Sequence, residues 1–241
     1  MRTSMDDDKI RYVVTSVKEE SSHIKTLSLA REGGALPEYV CGQYIHVYFP
    51  ETGIYEGKAY SISSGTDEHT FSITVRSMGE FSRRLCSLVE GECVIGSAPC
   101  GFFYPEDGNR PLVLLAGGIG ITPFRSILHS ASTWRSGRNI YLFHSVRNES
   151  EAIFSKEFLS LAQKKQNFLV RYFVTREDVC TLPEAFSRRI NAAAVLPYIR
   201  TEAGVEALVC GSISFTRDMW RMLRKNGISE EYIYTEAFFS C

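Results

Sequence analysis

The stretch LVLLAGGIGITPFRSILHSASTW, residues 112–134, decides how the rest of the chain reads. Leu112–Ala116 is an uninterrupted apolar run, the pattern of a strand buried on both faces of a parallel sheet. Gly117, Gly118 and Gly120 follow, and without a Cβ they let the backbone turn tightly and come close to a ligand. Thr122 then reads as an N-cap, and Pro123 stands where a missing N–H costs nothing. Phe124, Ile127, Leu128, Ala131 and Trp134 recur at helical spacing, which predicts one helix over 123–134. Strand, glycine turn and helix N-terminus together present N–H groups and a positive dipole end to an anion, most naturally a dinucleotide pyrophosphate. The order Gly-Gly-x-Gly-x-x-Pro departs from the usual G-x-G-x-x-G, so on this motif alone a tight turn without a ligand stays open.

The chain around this stretch has 241 residues, enough for one large domain or two ordinary ones with a sizeable core. Its net charge of −1 and scattered Lys and Arg argue against a nucleic-acid binder. No apolar run is long enough to span a bilayer, and the start, MRTSMDDDKIR, has no apolar signal core, so a cytoplasmic protein is expected. Cys41, Cys86, Cys93, Cys100, Cys180, Cys210 and Cys241 form no C-x-x-C pair or cluster run. Free thiols are predicted, with Cys86, Cys93 and Cys100 buried, and neither zinc nor an iron–sulfur centre is expected. His23, His46, His69, His129 and His144 show no ligand pairing and read as structural or exposed.

Before the glycine turn, Ile10–Val17, His23–Ala30, Gln43–Phe49, Ala59–Ser63 and Thr70–Val75 are short β-type runs separated by turn residues. With a strand at Cys93–Ile95 behind a short helix at Arg83–Leu88, they predict an antiparallel barrel of about six strands. From Pro111 the rhythm becomes strands alternating with helices. Leu112–Ala116, Asn139–Val146, Leu169–Thr175 and Ala207–Cys210 read as buried strands, and Pro123–Trp134, Ser155–Gln163 and Phe215–Asn226 as helices. That is the pattern of an α/β, Rossmann-like parallel sheet, and Gly227 and Tyr232–Phe238 read as a helix stop and a last strand. A barrel domain over 1–107 and an α/β domain over 108–241 are expected.

Two constellations lie in the barrel half. In Lys58-Ala59-Tyr60-Ser61-Ile62-Ser63-Ser64, Lys58 and Tyr60 share one strand face and Ser61 looks the other way. A flat polar ring system fits against Tyr60 with a hydrogen bond from Ser61; a plain half-buried strand is the alternative. In Arg76-Ser77-Met78-Gly79-Glu80-Phe81-Ser82, a strand ends in a turn whose N–H groups and Ser82 hydroxyl suit a phosphate, with Arg76 nearby; an ordinary turn is the alternative.

Taken in order, K-A-Y-S-I-S-S, G-E-F-S, A-G-G-I-G-I-T-P, V-C-G-S and T-E-A-F resemble the motifs of the ferredoxin–NADP reductase superfamily, from about Lys9 to Phe239. The resemblance implies FAD, with FMN less favoured, and NAD(P)H as co-substrate. It implies that Tyr60 packs on the flavin, that Ser61 hydrogen-bonds near flavin N5, and that Ser63 belongs to the same binding strand. Lys58 stands where the family has Arg, a point charge in place of a forked guanidinium. Gly79 and Ser82, with Arg76, fall on the flavin phosphates. Gly117, Gly118, Gly120, Ile121 and Thr122 fall on the nicotinamide dinucleotide pyrophosphate. Cys210 and Gly211 lie by nicotinamide C4, and Glu236 and Phe238 fall on the terminal segment near the flavin, with Phe238 or Phe239 as its aromatic cover. Arg147, Arg176 and Arg189 resemble positions that grip a 2′-phosphate, which favours NADPH; plain surface charges are the alternative.

The activity implied is hydride transfer from NAD(P)H to the flavin, with Ser61, Cys210 and Glu236 at the reacting centre. Single electrons then pass to a separate acceptor protein such as a ferredoxin, a flavodoxin or an oxygenase component, because the cysteines encode no cluster. Two other readings remain open, a free-flavin or ferric reductase and a flavin-binding regulatory subunit.

Overall fold

Alternating apolar and polar residues build the first part of the chain into strands with one face inward. The computed structural model describes residues 9–106, 108–199 and 204–238. Six strands, β1 (Lys9–Ser21), β2 (Ile24–Arg31), β3 (Tyr44–Phe49), β4 (Ile54–Ser61), β5 (Phe71–Arg76) and β6 (Cys93–Ser97), pair antiparallel in the order β4-β3-β6-β1-β2-β5. Just past β4, Ile62 bridges Ile73 of β5, and the Ser63 N–H donates to the Ser72 carbonyl at 2.7 Å, which closes the sheet on itself. In β3, Ile45, Val47 and Phe49 point in while Tyr44, His46 and Tyr48 do not. The interior is filled by Tyr12, Leu27, Ile45, Ile62, Phe71, Ile73 and their neighbours, with Phe81 and Leu85 of helix α1 (Glu80–Cys86) packed into it.

The second part alternates strands and helices. Strands β7 (Leu112–Gly117), β8 (Ile140–Val146), β9 (Phe168–Val174), β10 (Ala185–Phe186), β11 (Glu206–Ser212) and β12 (Ile233–Phe238) form a parallel sheet in the order β10-β9-β8-β7-β11-β12. The run Leu112–Ala116 is fully buried, as a central parallel strand requires. Helices α2 (Thr122–Leu128), α3 (Ala131–Trp134), α4 (Ser155–Lys164), α5 (Ala192–Ile199) and α6 (Ile213–Lys225) connect the strands. Gly227 has φ +92° just beyond α6, the backbone that favours glycine at a helix stop. The chain groups into two compact units: residues up to Tyr104 together with Arg125–Ala131, and Pro105–Phe124 together with the chain from Ser132 to Ser240.

Several local expectations change. The helix predicted over 123–134 is two pieces, because the backbone at His129–Ser130 packs against the loop after Ser64. A Cβ on Gly65 would lie 2.0 Å from the His129 carbonyl oxygen, and the Ser130 and Thr66 hydroxyls are 3.0 Å apart. Thr122 does not cap α2. Residues Gly118–Ile121 form a 3-10 turn that begins from extended Gly117, so Thr122 is already helical (φ −60°, ψ −49°) and its hydroxyl donates back to the Ile119 carbonyl at 3.1 Å. The short β10 and helix α5 escape the sequence reading; α5 is apolar throughout and contains Pro197, so it has neither period nor an uninterrupted helical signal. The described cysteines are free, but Cys93 and Cys100 are only half-buried while Cys86 is buried.

Gly120 is where the fold leaves no room for a side chain, since a Cβ there would sit 2.3 Å from the Cys210 carbonyl oxygen. Gly120→Ala is expected to cost about 1–3 kcal/mol, as overpacking does. Gly34→Ala, whose Cβ meets only the Arg31 side chain at ordinary contact distance, should stay within about 0.5 kcal/mol. Equal urea midpoints for the two variants would show that the turn at Gly120 is not tightly packed.

Candidate functional site

In the first unit, β4 carries Lys58 and Tyr60 to the same aromatic ring. Tyr60 and Phe81 stack with centroids 6.3 Å apart and planes at 19°, and the Lys58 ammonium lies 5.7 Å from the Phe81 centroid. Phe81 sits inside the G-E-F-S motif and was given no role from sequence, because only its contact with Tyr60 reveals it as the support of that ring. Burial pushes the Tyr60 hydroxyl above its ordinary pKa, so the ring is neutral throughout the physiological range. Ser61, the next residue, is buried, and its hydroxyl has no hydrogen-bond partner. An unsatisfied buried hydroxyl costs about 1–3 kcal/mol, which makes Ser61 a candidate to hydrogen-bond a ligand.

The neighbouring hydroxyls are differently placed. Ser63 is fully buried, with its Oγ 3.0 Å from Ser72 Oγ and accepting from the Thr74 hydroxyl at 2.9 Å. The barrel interior therefore takes the Ser63 side chain out of the candidate set. The Ser82 hydroxyl accepts from the N–H groups of Met78 and Gly79 at 2.9 and 3.0 Å and donates to the Gly79 carbonyl at 3.1 Å. With its capacity used, it shapes the turn, and what remains for a phosphate is the first-turn backbone N–H groups of α1. Arg76 closes β5 at the start of that turn. A buried hydroxyl without a partner, an aromatic face and a helix start behind a glycine are the parts a flavin nucleotide needs, and these residues fit one.

In the second unit the candidate residues collect at the carboxyl ends of the parallel strands, the edge where open α/β sheets bind ligands. Gly117 ends β7, Gly118 has φ +55°, and Gly117 and Gly118 are half-exposed, while Gly120, Ile121 and Thr122 are buried. Ile121 and Thr122 thus serve by packing, and the turn offers its backbone. Cys210 and Glu236 are paired neighbours on β11 and β12, and Gly211 and Ser212 pair with Ala237 and Phe238. Cys210 is fully buried, and burial together with Glu236 pushes its thiol well up, so it is a neutral thiol. Burial also pushes the Glu236 carboxyl up to about 7, and its Oε2 is buried without a partner. Phe238 is half-buried at the end of β12; Phe239 lies outside the described residues.

Two residues that the sequence reading passed over shape this edge. Phe215 of α6 lies on the glycines: a Cβ on Gly117 would be 2.7 Å from its ring, and one on Gly211 would be 2.8 Å away. His144 on β8 is fully buried, and its Nε2 lies 2.9 Å from the Gly118 carbonyl oxygen. Burial lowers its pKa to about 4, so it is neutral and donates that Nε2 proton to the carbonyl, fixing the turn from below. The only sequence sign of this role is a histidine inside the apolar run IYLFHSV.

Arg147 and Arg176 follow β8 and β9, and the Arg176 N–H donates to the Arg147 carbonyl at 2.9 Å, so the two sit side by side with exposed side chains. The loops that carry them are stitched together. Glu177 accepts from the Glu149 N–H at 3.0 Å, and the Glu149 carboxylate accepts from the Leu182 N–H at 3.0 Å and from both the N–H and the hydroxyl of Thr181. Arg189, also exposed, lies beyond β10, and no hydrogen bond joins it to the pair among the described residues. Among the described residues no group of three or more His, Cys, Asp or Glu is placed to hold a metal, and no helix is long and apolar enough to cross a membrane.

An antiparallel barrel with a ring platform, followed by a parallel sheet with a glycine turn at its ligand edge, defines a two-domain reductase fold. The profile of the oxidoreductase NAD-binding domain family matches residues 114–221. The flavohemoprotein of Bordetella pertussis is 30% identical over 234 residues, which are 91% of this chain and 58% of that protein. The chain therefore spans little more than half the length of this curated relative. Among solved structures, the flavohem-like FAD/NAD binding domain of nitric oxide dioxygenase from Vibrio cholerae is 25% identical, with a TM-score of 0.83 covering 96% of this chain and 99% of that one. A ferredoxin NADP+ reductase from Neisseria gonorrhoeae with bound FAD and NADP shares the fold at a TM-score of 0.84 and 21% identity, covering 97% of this chain and 100% of that one. The chain thus carries an oxidoreductase NAD-binding domain over residues 114–221 and shares the two-domain fold of these proteins.

The state of His144 makes stability depend on pH. Because its folded pKa is near 4 against an ordinary 6.5, the unfolded chain takes up a proton first as pH falls through 6.5, and the folded state loses stability down to about pH 4. The full effect is on the order of 3 kcal/mol. His144→Gln is expected to abolish this slope between pH 6.5 and 4 while other titrations persist. Denaturation curves with the same acid dependence in both proteins would contradict a buried neutral His144.

Proposed function

We propose that the chain is a flavin-dependent reductase that passes hydride from NAD(P)H to FAD and then single electrons to a separate acceptor protein in the cytoplasm. The observation that carries this reading is the buried, unpartnered Ser61 hydroxyl, which follows in the chain the Tyr60 ring stacked on Phe81. FAD, when bound, supplies the capacity to accept hydride and to release electrons one at a time. The chain's own residues do the rest. Tyr60, backed by Phe81, offers a flat neutral face; Ser61 supplies an oriented hydrogen bond; Lys58 and Arg76 balance phosphate charge, and the start of α1 offers N–H groups. Gly117 and Gly118 expose the backbone to a pyridine nucleotide, and Cys210, dry and neutral, lines its reactive end. Glu236, with its pKa near 7, holds or gives up a proton at Oε2 in the working pH range, and Phe238 covers the same edge.

Arg147 and Arg176 favour NADPH, since two exposed arginines joined through their backbones suit a phosphate dianion and neither has an acidic partner among the described residues. Arg189 is assigned to the same group with the weaker support of its position. The acceptor is a protein such as a ferredoxin, flavodoxin or oxygenase component. The seven cysteines lack the spacing of an iron–sulfur cluster, which supports an acceptor outside this chain.

Ser61→Ala is expected to slow single-turnover reduction of bound flavin about tenfold, the effect of one lost hydrogen bond of about 1.4 kcal/mol. It should stabilise the flavin-free protein, by up to about 1–3 kcal/mol, because the substitution removes a buried hydroxyl that has no partner. Cys210→Ala should slow the same step; wild-type reduction rates in both variants would refute their roles. Arg147→Ala with Arg176→Ala should lower the ratio of kcat/KM for NADPH over NADH by about tenfold or more, as expected for lost charge-assisted bonds. A ratio at or below one in the wild type would remove the NADPH assignment. Comparing a ferredoxin with free flavin as electron acceptor separates the proposed reductase from a free-flavin reductase.

A further inference from the structure

One charged cluster of the first unit has no part in the reading above. Arg125 donates from Nη1 to Glu68 Oε2 and from Nη2 to Glu68 Oε1, both at 3.0 Å, a forked pair. The same Nη1 donates to the Ser63 carbonyl at 2.7 Å. Glu68 Oε2 also accepts from the Gly65 N–H at 2.7 Å, and Ser126 donates its hydroxyl to the Ser64 carbonyl at 2.5 Å. Two successive carbonyls immediately beyond the Tyr60–Ser61 segment are thus held by neighbouring residues of α2. The pair is well shielded, with side-chain exposures of 14% for Arg125 and 29% for Glu68. Burial works to raise the Glu68 pKa, but the bonds from Arg125 and the Gly65 N–H leave it lowered, so the carboxylate stays ionised.

The arrangement needs a guanidinium. One planar group makes two parallel bonds to a carboxylate and still reaches a carbonyl, which an ammonium on a flexible stem does not reproduce. Glu68 for its part ties the fork to Gly65, so the ion pair joins Tyr39, Ser72 and Ser126 in holding the backbone of residues Ser63–Gly65. Two residues upstream is the Ser61 hydroxyl, whose use depends on being held within about 0.5 Å of its working position. We propose that Arg125, locked by Glu68, is a positioning residue for flavin reduction: it fixes the Ser63–Ser64 backbone and through it the place of the Ser61 hydroxyl. This inference rests on the assignment of Ser61 to the flavin.

The test is single-turnover reduction of the flavin-bound full chain by NADPH and NADH, in the wild type and in Arg125→Gln, Arg125→Lys, Glu68→Gln, Ser61→Ala and the Ser61→Ala/Arg125→Gln double variant. Arg125→Gln is expected to slow reduction at saturating nucleotide about tenfold, with KM changed less than about twofold. Arg125→Lys should restore only part of the rate, and Glu68→Gln should fall between. In the Ser61→Ala background, Arg125→Gln should slow the step by less than about twofold, because the two act as one unit. A wild-type rate in Arg125→Gln overturns the proposal, and so does an undiminished effect in the Ser61→Ala background, which would mark Arg125 as a support of the fold alone. If Arg125→Gln loses its flavin, Glu68→Gln with and without Ser61→Ala decides by the same comparison. Normal rates in Ser61→Ala with slow rates in Arg125→Gln would overturn the link through Ser61. A wild-type protein that neither nucleotide reduces would instead bring down the reductase reading itself.

Discussion

At the end of the central parallel strand the backbone of Gly120 lies directly against the Cys210 carbonyl, with no space for even one methyl group between them. Much of the second unit's ligand edge depends on that approach. It brings the end of β7 onto the end of β11, next to the strand that carries Glu236. Phe215 lies across Gly117 and Gly211, and His144 holds the Gly118 carbonyl from within the sheet. The glycines are therefore needed for the protein's own packing first. Their value to a nucleotide is a consequence, because a turn stripped of side chains is also a turn with accessible backbone.

Function shows in the polar atoms that the fold leaves unsatisfied. In the barrel, the hydroxyls of Ser63, Ser72 and Thr74 bond one another, and Ser82 saturates its own turn. Ser61, equally buried, has no such partner, and neither has Oε2 of Glu236. Folded chains rarely tolerate such groups without a purpose, since each forfeits the hydration it had in the unfolded state. One of them follows Tyr60 directly in the chain, and the other is paired with Cys210 across β11 and β12. Electrostatics works alongside. Burial keeps Cys210 and His144 neutral and brings Glu236 to a pKa near neutrality, so the edge carries one group able to change charge under working conditions.

In the loops after β8 and β9, acidic residues join the two loops while the arginines beside them stay exposed. Glu149 and Glu177 use their carboxylates on backbone N–H groups and on Thr181, in a reciprocal clasp between the loops. Arg147 and Arg176, joined through their backbones, keep their side chains exposed beside it.

Both layers of the fold were legible in the residues. Short β-type runs separated by turn clusters mark the barrel, and buried apolar runs alternating with helical spacing mark the parallel sheet, because each pattern has few ways to bury its apolar face. Tyr60, Ser61, Cys210 and Glu236 stand out in the sequence as candidates, since each motif is local to a few positions. What the sequence by itself did not determine is which hydroxyl would be left open: Ser61 and Ser63 are the same residue type two positions apart, and only the strands packed beside them satisfy one and not the other. The break in the 123–134 helix, the Phe81 ring under Tyr60, the His144 bond to Gly118 and the Arg125–Glu68 fork likewise join residues 20 or more positions apart, or answer to such a contact. Tertiary structure decided them, because hydrogen bonds and ring contacts depend on where a distant strand or loop arrives, and no periodicity records that arrival.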